Sequence, residues 1–302
     1  MNKKRLARLR ARWLLAQLAP ARPLQIADIG ARQMKRPPAY QPLLDMEAAE
    51  LTGFEPDPDA FEVLQKDAPA HARYINKAVG KPGPATFYAH HVGSLSSIYR
   101  LSAKAAAYLG KGFWVKRPIE EMDMTLVSLD KVDGMPKLDL LKMDIQGAEF
   151  DVLKGGKKTL ANAVMIIPEI RFYQMYEEEP MWADIDILLR KIGFVLHCFA
   201  HQKKVRLPSG VAKRLNASMR SQLLDGDAVY IRNLETAEDV TDDQVKILAL
   251  LADCVTKSYD LTLHCLDILV QRDVLPDTVL EGYLARLPSD LMVDPSDGVQ
   301  PA

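Results

Sequence analysis

Leu141-Lys142-Met143-Asp144-Ile145-Gln146-Gly147-Ala148-Glu149-Phe150-Asp151-Val152-Leu153-Lys154-Gly155-Gly156 is the stretch on which the reading of the chain turns. It predicts a buried strand ending on Asp144, a turn at Gly147, and a helix whose Phe150 and Leu153 pack back on the strand. Open parallel sheets bind ligands at the carboxyl ends of their strands, near the point where strand order reverses. An acid that closes a buried strand is therefore a candidate site residue.

Working outward, short apolar runs alternate with helical segments from Leu24 to about Arg232, the pattern of βαβ units and a mostly parallel sheet. Strands are expected at Leu24–Ile29, Glu50–Glu55, Arg73–Asn76, Asp139–Asp144, Ala163–Glu169, Phe194–Phe199 and Ala228–Arg232. Asp57 followed by Pro58 marks one helix start. Ile185, Leu188, Leu189 and Ile192 fall at i, i+3, i+4 and i+7 of another helix, over Trp182–Ile192, with Gly193 placed to end it. Between Pro84 and Ser128 lies an insertion with strand-like pieces (Thr86–Ala89, Phe113–Val115, Thr125–Val127) and an alanine-rich stretch, Ala103–Leu109, suited to covering a substrate.

The first strand ends in Asp28-Ile29-Gly30-Ala31, a small-residue turn that lets a ligand approach the backbone. The second ends in Gly53-Phe54-Glu55-Pro56-Asp57, where the Glu55 carboxylate can accept from both hydroxyls of a ribose, or else cap the helix near Pro58. A turn plus an acid fits NAD, flavin or S-adenosylmethionine. Diphosphate recognition wants three spaced glycines, and Gly30 is followed by Ala31-Arg32-Gln33-Met34-Lys35-Arg36-Pro37-Pro38. The phosphate-free S-adenosylmethionine tolerates that loss best.

At the quoted stretch the sequence resembles the FkbM-type S-adenosylmethionine-dependent methyltransferases, whose hallmark K-x-D-x-x-G-x-E-x-x-x-L-x-G is met by Lys142, Asp144, Gly147, Glu149, Leu153 and Gly155. The same order of motifs surrounds it: Asp28-Ile29-Gly30-Ala31, Gly53-Phe54-Glu55-Pro56, Asn76-Lys77-Ala78-Val79-Gly80, Gly93-Ser94-Leu95-Ser96-Ser97, Ser128-Leu129-Asp130 and Pro168-Glu169-Ile170. The resemblance covers residues 24–232. It implies a class I methyltransferase-like (Rossmann-like) α/β domain that uses S-adenosyl-L-methionine to methylate a hydroxyl on a sugar, glycan or other small metabolite. Asp144 is then placed nearest the reacting centre, Glu55 with Pro56 at the ribose, Asp28, Gly30 and Ala31 along the cofactor's backbone side, and Asn76 at the adenine edge. The first loop departs from the family's D-x-G-A-N-x-G: Arg32 replaces the Asn, Met34 the last Gly, and Pro37-Pro38 stand where the first crossover helix should run. A nicotinamide-dependent oxidoreductase and a non-catalytic binding module of the same fold are the alternatives. The former lacks both the extra glycines and a Tyr-x-x-x-Lys.

The 302 residues carry 39 Lys+Arg against 40 Asp+Glu, with 48% hydrophobic residues. That composition excludes disordered and fibrous classes, and a formal net charge of −1 supplies no field for nucleic acid. Cys198, Cys254 and Cys265 form no C-x-x-C pair, which points to a reducing, cytoplasmic setting without a zinc site. Asp253, Lys257, Asp260 and Asp267 interrupt the most apolar region, so no bilayer span is expected. No secretory leader is read in the basic N-terminus.

Residues 1–19 read as a basic amphipathic helix with Leu6, Leu9 and Trp13 on its packing face. Contact with a membrane surface through residues 1–18 is the alternative use. Residues 20–234 form the α/β domain and 235–302 a helical appendage, begun by a Thr241/Gln244 capping box and ending in a frayed tail from Ser289. No metal is assigned: His90-His91 lack partner ligands, His197 and His201 sit on a strand, and Asp144 and Glu169 are read as hydrogen-bond acceptors. Glu177-Glu178-Glu179 reads as a solvated run. Neither Ser209 nor Ser221 has a nucleophile's setting.

Overall fold

The computed structural model describes residues 3–31 and 37–293. Two compact units emerge, Leu24–Lys35 with Glu50–Ala237, and Met1–Pro23 with Arg36–Ala49 and Glu238–Ala302. The departures of the first loop at Arg32 and Met34 lie outside the described residues, as does the tail after Val293.

The larger unit is built on a seven-stranded sheet of β1 (Leu24–Ile29), β2 (Ala49–Phe54), β3 (Ala72–Ile75), β4 (Leu140–Met143), β5 (Met165–Arg171), β6 (Phe194–Val205) and β7 (Gln222–Arg232). Their spatial order is β3-β2-β1-β4-β5-β7-β6. The pairings β3–β2, β1–β4 and β4–β5 are parallel, while β7 runs antiparallel to both β5 and β6. Strand order therefore reverses between β1 and β4, the place where open sheets form a crevice. The central strands β1, β4 and β5 are buried along almost their whole length, the pattern of parallel strands inside a sheet. Ala27, Ile29, Leu141, Met143 and Ile166 pack with Val152 and Leu153 of helix Glu149–Gly155 and with Ile185 and Leu189 of helix Trp182–Lys191.

Local chemistry explains most boundaries. The Asp57 carboxylate accepts from the Ala60 N–H at 3.0 Å, and Pro58 opens helix Pro58–Lys66. Gly193 takes a positive φ of 86° just past helix Trp182–Lys191, the left-handed conformation that ends helices. β6 and β7 run several residues beyond the expected ends. Their extension pairs Lys203 with Asp225 and Val205 with Gln222 as a ribbon wet on β6, so it lacks the apolar alternation that reveals a half-buried strand. In the insertion, Gly83–Ala89, Glu120–Val127 and Ala78–Val79 form a small three-stranded sheet. Phe113–Val115, expected as a strand piece, instead lies in a 3-10 turn, Gly112–Val115. Gly110 at φ 68° bends the chain just before it.

The smaller unit is helical: Lys3–Leu18, a single turn at Gln41–Leu44, Asp242–Leu251, a π-helical turn at Ala252–Thr256, Tyr259–Gln271 and Thr278–Leu284. The Thr241/Gln244 capping box is formed. The N-terminal helix packs only in part through Leu6, Leu9 and Trp13: Leu6 is half-buried and Trp13 sits against Gly282 and Arg286, but the centre of its packing face lies elsewhere. Its buried residues are Arg10, Ala11, Leu14 and Leu18, and Leu9 is half exposed. A buried charge moves the face: Arg10 Nε lies 2.6 Å from Asp253 Oδ1, which also accepts from the Tyr283 hydroxyl at 2.5 Å. A buried arginine is tolerable only with such a partner, and no periodicity count could have assigned it to the core. No helix among the described residues is long and apolar enough to cross a membrane.

Candidate active site

The loop after β4 holds the strongest sequence signal and is over-determined. The Asp144 N–H donates to Ile29 O at 3.0 Å, and a Cβ on Gly30 would collide with Asp144 O. Only glycine, here at φ 87°, lets the ends of β1 and β4 meet backbone to backbone. Gln146 and Gly147 both take positive φ, 60° and 113°, reversing the chain over two residues. The Glu149 carboxylate fixes that reversal by accepting from the Ile145 and Gly147 N–H groups at 3.0 and 2.9 Å. Glu149 is buried, which raises its carboxyl above the ordinary range. It is thus a clamp on the loop. The insertion contributes a second clamp: Ser97 Oγ donates to Gln146 O at 2.6 Å.

A row of charged side chains crosses the sheet at its carboxyl ends. Cross-strand partners share a face, and the register pairs Asp28 with Lys142, Glu169 with Asp227, and Arg171 with Asp225. Lys142 Nζ stands 3.4 Å from Asp28 Oδ1. Burial alone would lower its ammonium, but Asp28, Asp144 and Asp227 outweigh it and hold the group above its usual value. Gln146 Nε2 donates to Asp144 Oδ1 at 2.9 Å and to Glu169 Oε2 at 2.8 Å, so one amide bridges the two acids. The amide's oxygen accepts from Arg171 at 2.7 Å, which fixes the direction of the bridge.

Arg171 is the hub. It is buried and lies 3.0 Å from Glu169, 3.4 Å from Glu179 and 3.6 Å from Asp225. Glu179 is accordingly not part of a solvated run. It is buried, and its carboxylate accepts from the Met175 and Tyr176 N–H groups. Its neighbours Glu177 and Glu178 are exposed. One guanidinium faces several acids in a dry setting, so some carboxyls hold a proton near neutrality. Burial pushes Glu169 up to about 8, with Arg171 opposing and Asp144 and Glu149 reinforcing the shift. Burial likewise pushes Glu179 to about 7.

These shifts have a consequence for stability. The folded protein keeps protons that the unfolded chain releases near the ordinary glutamate value of 4.5, so stability falls as pH rises from there to about 8. Melting temperature followed across this window should decline with pH, and Glu169→Gln, neutral throughout, should flatten the upper part. An unchanged slope in the variant would remove Glu169 as the proton holder.

The cofactor residues named from sequence sit on neighbouring strand ends. Gly30 and Ala31 N–H groups both donate to Phe54 O at 3.0 Å, so the first turn is seated on β2. Glu55 is buried directly after β2 and accepts from the Asp57 N–H at 2.9 Å. Asn76, just past β3, donates its amide to Glu55 O at 2.9 Å and Pro56 O at 3.1 Å. That makes Asn76 a fastening for the turn carrying Glu55. Asp28, Gly30, Ala31, Glu55, Pro56, Asn76 and Asp144 therefore fall at the carboxyl ends of four contiguous strands, β3-β2-β1-β4.

Sequence reading did not single out Gln146, Arg171, Glu179, Asp227 or Ser97 for a role. Gln146 stood inside the decisive stretch, where its position between an acid and a glycine was the available signal. Arg171 and Glu179 carried none, because their pairing depends on a chain reversal after β5.

A sheet of this order, reversing beside a glycine turn and flanked by an acid after β2, is the class I methyltransferase fold. The Methyltransferase FkbM domain matches residues 28–196, more than half of the chain, and the chain belongs to this family. The 2-O-methyltransferase NoeI of Sinorhizobium fredii (strain NBRC 101917 / NGR234) is 43% identical over 56 residues. That match takes in 18% of this chain and 23% of NoeI's length. Among solved structures, the magnesium protoporphyrin IX methyltransferase of Synechocystis PCC 6803 with bound S-adenosylmethionine is 15% identical over 75% of this chain and 78% of its own, at a TM-score of 0.32. The plantazolicin methyltransferase BpumL with S-adenosylhomocysteine is 11% identical over 76% of this chain and 82% of its own, at a TM-score of 0.33.

The cofactor of this family is S-adenosyl-L-methionine, and the described residues fit it. The carboxyl ends of β1, β2 and β4 carry the acids Asp28, Glu55 and Asp144, and the turn after β1 closes on Gly30, which has no side chain to stand between them. Acids suit a ribose diol and a sulfonium cation, and would repel a diphosphate.

Proposed function

We propose that this protein transfers a methyl group from S-adenosyl-L-methionine to a hydroxyl oxygen of a sugar, glycan or other small molecule. The observation that carries the reading is the Asp144–Gln146–Glu169 bridge locked by Arg171, which holds one carboxylate at a fixed angle beside the Gly30 turn. NoeI's designation as a 2-O-methyltransferase supports a hydroxyl acceptor.

When bound, the cofactor supplies an electrophilic methyl on a sulfonium, which is displaced in line. Glu55 binds the ribose hydroxyls, with Asn76 holding the Glu55–Pro56 turn and presenting its remaining end to the adenine edge. Asp28, Gly30 and Ala31 form the wall along the cofactor. Asp144 orients the acceptor hydroxyl and takes its proton as the oxygen attacks, a general-base role. The bridging amide from Gln146 keeps that carboxylate from rotating, which lowers the cost of reaching the reactive geometry. The insertion, tied to the loop through Ser97, keeps water from the reacting atoms.

Calorimetric titration with S-adenosylmethionine and S-adenosylhomocysteine is the direct test. Glu55→Ala should weaken both by roughly 1.5–3 kcal/mol per charged hydrogen bond lost, about a tenfold to hundredfold rise in Kd. Equal affinity in the variant would take Glu55 out of the site, and tighter binding of NADH than of either ligand would overturn the reading.

A further inference from the structure

The N-terminal helix, Lys3–Leu18, buries one face and leaves a different chemistry on the other. Arg5, Arg8 and Arg12, at i, i+3 and i+7, line the side opposite Ala11, Leu14 and Leu18 and are exposed. The helix contains no acid. Its other cations show what pairing looks like here: Arg10 is buried on Asp253, and Lys3 bridges to Asp290 at 3.1 Å. Arg5, Arg8 and Arg12 have no ion pair among the described residues.

Apolar side chains accompany the arginines. Leu9, on the flank of the stripe, is 50% exposed, and Leu291, Met292 and Val293 are 54%, 46% and 66% exposed. The Lys3–Asp290 bridge draws this run beside the first turn of the helix. Leu6, Leu9, Ala285 and Leu287 line a groove of about 430 Å³ between the helix and residues 285–287, with Arg10 and Arg286 also on its walls.

We propose that this face docks on an anionic lipid surface, with Arg5, Arg8 and Arg12 at the headgroup phosphates and Leu9 with the Leu291–Val293 run entering the acyl boundary. Nucleic acid would use the arginines but offers nothing to four exposed aliphatic side chains, whereas a lipid interface satisfies both. The attraction is local, since the chain as a whole carries a formal charge of −1. The proposal is independent of the methyl-transfer chemistry and concerns only the smaller unit.

Cosedimentation of the full chain with phosphatidylserine–phosphatidylcholine vesicles tests it, against vesicles of phosphatidylcholine alone. The wild type should partition to the anionic vesicles at low salt and lose most of that binding at high salt. Arg5→Gln with Arg8→Gln and Arg12→Gln should lower the partition coefficient on the order of 100-fold, with the melting temperature held because the three side chains are exposed and glutamine is a good helix former. Leu9→Ser with Met292→Ser should remove the binding that survives high salt. No sedimentation of the wild type at low salt, or equal partition of wild type and triple variant, would overturn the proposal. So would equally strong binding to a DNA duplex in the same buffer, or a dimer in solution that the triple variant dissolves. Should the triple variant unfold, Arg8→Gln alone decides, with about a fivefold loss expected.

Discussion

Asp144→Asn is expected to reduce methyl transfer by roughly 10²–10⁴-fold, the usual worth of a positioned general base, while leaving cofactor affinity within a few-fold. Asparagine keeps the side chain's size and can still accept from Gln146 Nε2, so the bridge to Glu169 survives. What it cannot do is take a proton. The competing role, a cap on the helix that follows, is disfavoured because Glu149 already occupies the Ile145 and Gly147 N–H groups. Melting temperature and turnover measured on one preparation separate the two. A stable, cofactor-binding, inactive variant supports the base, and a destabilised variant with near-normal turnover rejects it.

Arg171→Met should cost roughly 3–5 kcal/mol of stability, because deleting one partner of a buried ionic cluster strands the others. For a unit of this size that is on the order of 10 °C in Tm. Glu169, Glu179 and Asp225 would be left facing one another without their shared cation. The folded pKa values of Glu169 and Glu179 would rise further, so the variant's stability should fall more steeply with pH than the wild type's, and its deficit should shrink toward pH 4.5. Adding Glu179→Gln should recover part of the loss by removing one stranded acid. Equal deficits at acidic and alkaline pH would show that Arg171 matters through packing and not through charge.

Arg171 also marks where sequence reading stops. Its strand was expected as Ala163–Glu169 and runs to Arg171, because the last two residues alternate correctly but one is a cation, which pattern arguments assign to solvent. Apart from Glu169 on its own strand, the acids that make its burial tolerable arrive from β7 and from the turn at Glu179, and neither is near it in pattern. Gln146 shows the middle case. It lies within the decisive motif, yet its bridging of Asp144 and Glu169 requires β4 and β5 to be neighbours and its own φ to be positive.

The sequence by itself determined the class I α/β fold, the strand ends at Asp28, Glu55, Asn76 and Asp144, the helix caps at Asp57 and Thr241, and the family. These rest on apolar period, capping residues and glycine placement, all of which act within a few positions along the chain. Tertiary structure alone decided the Arg171 cluster, the loop clamps from Glu149 and Ser97, and the packing face of the N-terminal helix, where buried Arg10 displaces Leu9 into solvent. In each of these a polar or charged group is buried. Whether such a group stays in water or enters the core depends on the partner that meets it there, and that partner comes from a distant part of the chain.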